Sequence, residues 1–177
     1  MPKRIYKIQG ISLGTASSNT RYGRKEDSLL VTLPQESILS GKFTSNKLKA
    51  APVKLAIENL SNSKKAKKVL LINAGNANAA TGPKGLKDVR KYCKEISLEF
   101  KISQENVIPF STGVIGEPLA TENYLSAFRE ASKGLSENKW KKAAEAILTT
   151  DTCLLYTSSE PTRRRGISYA VFCLKKK

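Results

Sequence analysis

Val69-Leu70-Leu71-Ile72 is an unbroken apolar run, and four such side chains in a row suit a strand buried inside a layered domain. A strand of that kind needs partners. Residues 29–33 read as a second strand stopped by Pro34, residues 106–110 as another, and residues 5–13 alternate well enough for one more, followed by a polar loop over 14–24. Helical spacing fills the gaps. Val53, Ala56, Ile57 and Leu60 recur behind Pro52, Leu86, Val89, Cys93, Ile96 and Phe100 repeat further on, and Leu125, Phe128 and Ala131 make a third stripe. A last helix, capped by Ser136, is expected to carry Trp140, Ala143, Ala144, Ile147 and Leu148. The elements interleave without a strict βαβ rhythm or an internal repeat. The class they predict is α+β, with helices layered on a mixed sheet.

At 177 residues the chain is about one domain. A net charge of +16 invites a nucleic-acid reading, but the charge is spread out. The last 25 residues contribute +5 and the rest +11, with one dense patch at Lys64-Lys65-Ala66-Lys67-Lys68 just before the apolar run. A solvated loop accounts for that patch, no nucleic-acid-binding motif accompanies it, and no nucleic-acid partner is expected. The first residues lack the apolar core of a secretory signal, and no apolar run is long enough to span a bilayer, so the expectation is a cytoplasmic protein with no membrane partner. Cys93, Cys153 and Cys173 form neither a metal spacing nor a disulfide framework, and Cys93 falls on an apolar helical face as a core residue. The chain contains no histidine. That removes His-dependent triads and His-ligated metals, and no metal site or cofactor is expected.

Three segments can carry chemistry. Residues 73–85, Asn-Ala-Gly-Asn-Ala-Asn-Ala-Ala-Thr-Gly-Pro-Lys-Gly, join the buried strand to a helix, where bare N–H groups can meet an anion. They match neither phosphate-loop nor dinucleotide spacing, and a structural turn pinned by asparagines fits equally. Ser111-Thr112-Gly113-Val114-Ile115-Gly116 sets a hydroxyl pair and two glycines at a strand end. A Thr hydroxyl beside a Gly N–H can form an oxyanion hole; a tight turn with Ser/Thr capping uses the same residues. Thr149-Thr150-Asp151-Thr152 offers three hydroxyls and a carboxylate to a polar substrate or to a helix end.

Taken in order, Phe43-Thr44-Ser45-Asn46, Ala50-Ala51-Pro52-Val53, the 73–85 run, Ser111 to Gly116, and Ala146-Ile147-Leu148-Thr149-Thr150-Asp151-Thr152 form a succession that resembles the N-terminal subunit of the ornithine acetyltransferases, also called bifunctional glutamate N-acetyltransferases. The resemblance runs from about residue 10 to 152. It implies part of a four-layer α/β/β/α sandwich and a precursor that cleaves itself before a threonine into α and β chains, assembled as two of each. The freed threonine would be the nucleophile, its own amine helping to activate the hydroxyl, which also accounts for the missing histidine. It would move acetyl from N-acetylornithine to glutamate in arginine biosynthesis, with acetyl-CoA a further donor in some members. By position, Thr112 and Gly113 match the family's oxyanion-hole pair and Thr149 a substrate-contacting threonine.

After Thr152 the resemblance stops. The family continues to an Ala-Lys-Gly segment and an Ala-Thr cleavage site, and neither follows here. Residues 153–177 instead resemble translated DNA-library adapter: 153–158 match a transposase adapter in one frame, 160–163 continue it after a one-base slip, 164–166 leave room for a short index, 167–174 match its far end, and three lysines fit a run of A bases. The expected organisation is therefore a truncated α-chain part over 1–152 and a non-native tail over 153–177, without the nucleophile. A genuine basic extension with a strand at 167–174 is the alternative for the tail. For the function, the alternatives are a related N-terminal-nucleophile aminopeptidase or amidase and a basic nucleic-acid-binding module. Reading the source DNA past codon 152 decides the first point: Ala-Lys-Gly coding sequence is the expected result, and an independent, non-adapter sequence ending in a stop codon would sink it.

Overall fold

The structure is a computed structural model that describes residues 7–21 and 23–148. Along the chain run β1 (Ser12–Ala16), β2 (Ser28–Leu33), α1 (Ala51–Asn62), β3 (Lys68–Asn76), α2 (Gly82–Glu99), a 3-10 turn (Gln104–Asn106), β4 (Val107–Val114), α3 (Thr121–Lys133) and α4 (Trp140–Ala146). The strands form one mixed sheet in the order β1-β2-β3-β4. β1 and β2, and β2 and β3, pair antiparallel, while β3 and β4 pair parallel across the α2 crossover. The expected α+β class holds. Among the described residues there is a single sheet, which is one of the two that a four-layer sandwich requires.

The apolar run sits inside the sheet and uses both of its faces. Val69 and Leu71 point, with Leu30 and Val107, into a core formed with Leu55 of α1, Val89, Cys93 and Ile96 of α2, and Phe128 of α3. Leu70 points the other way with Leu29, Val31, Leu33 and Ile108, against Ala143 of α4 and the partly buried Phe43 and Trp140. Each fully buried aliphatic or aromatic side chain here contributes roughly 1.5–3 kcal/mol relative to exposure.

Several local expectations shift. The first strand starts at Ser12, because Ile11 closes a turn onto the Ile8 carbonyl (3.2 Å) and Gly10 takes φ +81°. It continues through Gly14 and ends at Ala16, where a loop was expected. A Cβ on Gly14 would collide with the Ala131 carbonyl of α3, so glycine is what lets this helix lie against the strand. The buried stripe of α1 is Ala51, Pro52, Leu55, Ala56 and Asn59, turned from the Val53, Ala56, Ile57, Leu60 stripe. Ser136 does not cap α4. Its N–H and C=O pair with Leu13 at 3.0 Å each, covering the outer edge of β1, and Lys139 is the cap residue.

The lysine patch is only partly solvated. Lys65 pairs with Glu36 and Lys67 lies 5.3 Å over the Phe100 ring, but Lys68 opens β3 fully buried. Its ammonium donates to Ser63 Oγ (2.6 Å), the Lys64 carbonyl (2.5 Å) and Asn106 Oδ1 (2.9 Å). Burial lowers its pKa, and the three acceptors compensate the lost hydration.

Tyr92 and Cys93 are fully buried in α2, and Tyr92 packs 5.6 Å from the Phe128 ring. Desolvation drives both pKa values well up, with the neighbouring Cys93 adding to the Tyr92 shift. The folded state therefore keeps protons that the unfolded chain sheds above about pH 8.5 for the thiol and about pH 10 for the phenol. The stability these groups contribute is complete below those values and declines as pH climbs towards the raised folded pKa values. Because the Tyr92 hydroxyl makes no hydrogen bond, Tyr92→Phe should be neutral or stabilising by up to about 1 kcal/mol at pH 7 and should flatten the decline above about pH 10. Urea midpoints measured from neutral to alkaline pH check both statements; a clear loss at pH 7 would contradict them.

Candidate functional site

The parallel pairing brings together two segments that are far apart in sequence. In register, Asn73 faces Ser111, Ala74 faces Thr112, Gly75 faces Gly113 and Asn76 faces Val114. Both strands end here, and carboxyl ends of parallel strands are where layered α/β units place ligands.

β4 is the edge strand, and its backbone directions can be read from two bonds. The Val107 carbonyl accepts Asn59 Nδ2 of α1 at 2.7 Å, on the outer side, whereas the Val114 carbonyl accepts the Ala77 N–H at 2.8 Å, on the β3 side. By alternation Pro109, Ser111 and Gly113 also face outward. Proline is tolerated there because no ladder bond needs its missing N–H. α1 covers the start of this edge through Asn59. Nothing among the described residues covers the far end, where Thr112 and Gly113 are exposed. Among the described residues the Thr112 hydroxyl makes no hydrogen bond, and the Gly113 N–H faces out from the sheet. Ser111-Thr112-Gly113 is thus strand rather than the tight turn that was the other reading.

Gly113 has φ +131°, and a Cβ on it would lie 2.6 Å from the Asn76 nitrogen and still nearer the Gly75 carbonyl. Gly75 opposite has φ +108°. Neither position suits an L side chain.

The three asparagines are fully engaged by the protein itself. Asn73 accepts Ser111 Oγ at 2.5 Å and donates to the Asn76 carbonyl at 2.7 Å. Asn76 donates to the Glu117 and Pro118 carbonyls at 3.2 Å each and accepts the Asn78 N–H at 2.7 Å. Asn78 donates to the Gly85 carbonyl (3.0 Å) and accepts Thr81 Oγ1 (2.7 Å), while its own carbonyl takes the Ala51 N–H at the start of α1 (3.1 Å). Of the two readings of this run, the pinned turn is the one realised.

Two residues that the sequence did not single out hold Ala74, the partner of Thr112. The Asp27 carbonyl accepts the Ala74 N–H at 2.7 Å, and the Tyr124 hydroxyl donates to the Ala74 carbonyl at 3.1 Å. The buried Asp27 carboxylate is served by the Ser18 N–H (2.7 Å), Ser18 Oγ (2.5 Å) and Ser28 Oγ (3.1 Å). Burial raises the Tyr124 pKa, so the phenol remains a donor. The one available hint was that Asp27 is the last charge before an apolar strand. Beside these residues lies an open cleft of about 270 Å³, lined by Thr20, Gly75, Asn76 and Tyr124 and bridged by Arg21 and Glu117 at 3.0 Å.

The third segment, with Thr149, lies outside the described residues. Among the described residues no cluster of side chains could hold a metal ion, and no helix is long and apolar enough to cross a membrane.

Comparison with known proteins bears on this arrangement. The model of the ArgJ family matches residues 12–175, past the boundary at 152 read from the sequence. The arginine biosynthesis bifunctional protein ArgJ of Methylococcus capsulatus is 42% identical over 149 residues, covering 84% of this chain and 36% of the relative. That of Pseudomonas fluorescens is 36% identical over 172 residues, 97% of this chain and 42% of the relative. The chain therefore spans less than half the length of these relatives. The crystal structure of ornithine acetyltransferase complexed with ornithine from Mycobacterium tuberculosis superposes with a TM-score of 0.75 at 25% identity, covering 82% of this chain and 78% of that one. ArgJ of Bacillus halodurans gives 0.68 at 30% identity, over 82% and 75%.

If Asn78 pins the turn as described, Asn78→Ala removes two buried hydrogen bonds and leaves alanine at φ +46°. The expected loss is about 2–4 kcal/mol by urea denaturation, and Asn78→Gly should recover the backbone part alone. A loss below about 0.5 kcal/mol for the alanine variant would contradict the assignment.

Proposed function

Because the chain belongs to the ArgJ family, we propose that it is the α-chain part of an acetyltransferase of arginine biosynthesis and that Thr112 and Gly113 are the oxyanion hole it brings to the reaction. In the complete protein, acetyl passes from N-acetylornithine to glutamate, with acetyl-CoA as a possible further acetyl donor, through an N-terminal threonine that follows self-cleavage. Attack on the acetyl carbonyl puts negative charge on its oxygen. A hydroxyl and an N–H fixed in advance stabilise that charge without reorganising, both when the nucleophile is acetylated and when it is released.

The observation that carries this reading is the end of β4, which nothing among the described residues covers. Thr112 and Gly113 are adjacent and exposed, while Ala74 and Gly75 opposite them are held by Asp27, Tyr124 and close packing. Ile115, 68% exposed at the same end, offers apolar surface to whatever brings the nucleophile. In this proposal that is the β chain, in an assembly of two α and two β, in the cytoplasm. Thr149 contacts the substrate, and the division at 152 belongs to the same proposal, for which the source DNA is the test.

The test uses the complete coding sequence. Thr112→Val should lower kcat for transfer from N-acetylornithine to glutamate by about 10²-fold or more, with KM little changed, and unchanged kcat would overturn the assignment. In this proposal the nucleophile comes from the β chain, so the purified 177-residue chain should show no transfer.

A further inference from the structure

At the far end of β4 a single buried amide bonds to both β4 and β3. Asn73 is fully buried and uses both ends of its side chain. Its oxygen takes the Ser111 hydroxyl, one residue before Thr112, at 2.5 Å. Its nitrogen reaches the Asn76 carbonyl at 2.7 Å, closing a loop around Gly75. Gly75 is the backbone against which Gly113 rests with no room for a Cβ. One side chain therefore sets both the height of β4 at Ser111 and the path of β3 beneath Gly113.

We propose that Asn73, acting through Ser111 and Gly75, is a positioning residue that aims the Thr112–Gly113 donors at the developing oxyanion. The proposal rests on the oxyanion-hole reading above. Neither Asn73 nor Ser111 touches substrate in it. Their effect is on aim: a displacement of the donors of about 1 Å is enough to cost a factor near 10² in rate.

The experiment is single-turnover and steady-state kinetics on the full-length, self-cleaved enzyme, with Ser111→Ala, Ser111→Thr, Asn73→Asp and Thr112→Val. Ser111→Ala removes one half-exposed hydroxyl at an edge strand, so folding survives. The expected result is a 10- to 100-fold slower acetylation of the enzyme by N-acetylornithine and an equal slowing of transfer to glutamate, with KM within about twofold and the burst amplitude unchanged. Ser111→Thr, which keeps the hydroxyl, should return both rates to within about threefold of wild type. Asn73→Asp keeps the acceptor for Ser111 but loses the donor to Asn76, and should slow both steps.

A lower burst amplitude at an unchanged rate would mean fewer folded molecules and would overturn positioning. So would a Ser111→Thr enzyme as slow as Ser111→Ala, or Ser111→Ala and Asn73→Asp enzymes as fast as wild type while Thr112→Val is slow; in that last case the oxyanion hole stands and the positioning role falls. Wild-type rates for Thr112→Val would remove the oxyanion-hole reading itself, and this inference with it.

Discussion

Where Gly75 and Gly113 lie side by side, two parallel strands approach more closely than any side chain permits, and that approach organises the molecule around it. Parallel strands cannot be joined by a tight turn, so the chain must leave β3, cross over and return. α2 is that crossover, and its buried face of Val89, Tyr92, Cys93 and Ile96 supplies the middle of the larger core. The departure from β3 then has to be sharp, and the run of asparagines makes it so: each amide closes onto a carbonyl three or seven residues away or onto the segment around Pro118. The backbone carbonyl of Asn78, within the same run, begins α1 by accepting its first N–H.

The price of such tight backbone packing is a number of buried polar groups, and the structure meets most of them locally. Asp27 and Lys68 are both buried without a salt bridge to each other or to any other described charge. Each is served by neutral hydrogen-bonding partners, Ser18 and Ser28 for the carboxylate, Ser63, Lys64 and Asn106 for the ammonium. Hydrogen bonds to charged groups are worth more than neutral ones, and truncating a partner would leave a bare charge inside. Both groups sit at strand junctions: Asp27 just before β2, Lys68 at the first position of β3. They fix where those strands begin, which apolar burial alone does not specify.

Much of this was legible in the sequence because periodicity reports burial. The run at 69–72, the α2 stripe and the α3 stripe fall where hydrophobic spacing puts them, since each faces one continuous core. What escaped was set by tertiary contact. Asn59 lies in the buried stripe of α1 because it bonds the Val107 carbonyl, and no local pattern announces a bond 48 residues away. Gly14 looks like a loop residue until a helix is laid on it. Lys68 reads as one of four solvated lysines, and only the packing of Ser63 and Asn106 around it shows otherwise. In the candidate site, Thr112 and Gly113 were legible through a resemblance and not through physics, because a hydroxyl beside a glycine looks the same in a turn and in an edge strand. Tyr124 was invisible and Asp27 nearly so, since they act on the backbone of Ala74 and carry no motif of their own.

An uncovered strand edge is normally a hazard, open to pairing with any other extended chain. β4 is protected unevenly. Its first half carries Pro109, which presents no donor, and Asn59, which occupies the Val107 carbonyl; its last half presents outward backbone at Ser111 and Gly113 with nothing among the described residues against it. Protection therefore stops where the residues capable of stabilising an oxyanion begin. An edge left open among the described residues, beside a strand held from beneath by Asp27, Tyr124 and Asn73, suits the proposed site, because donors that must meet a group arriving from outside have to be both fixed and reachable.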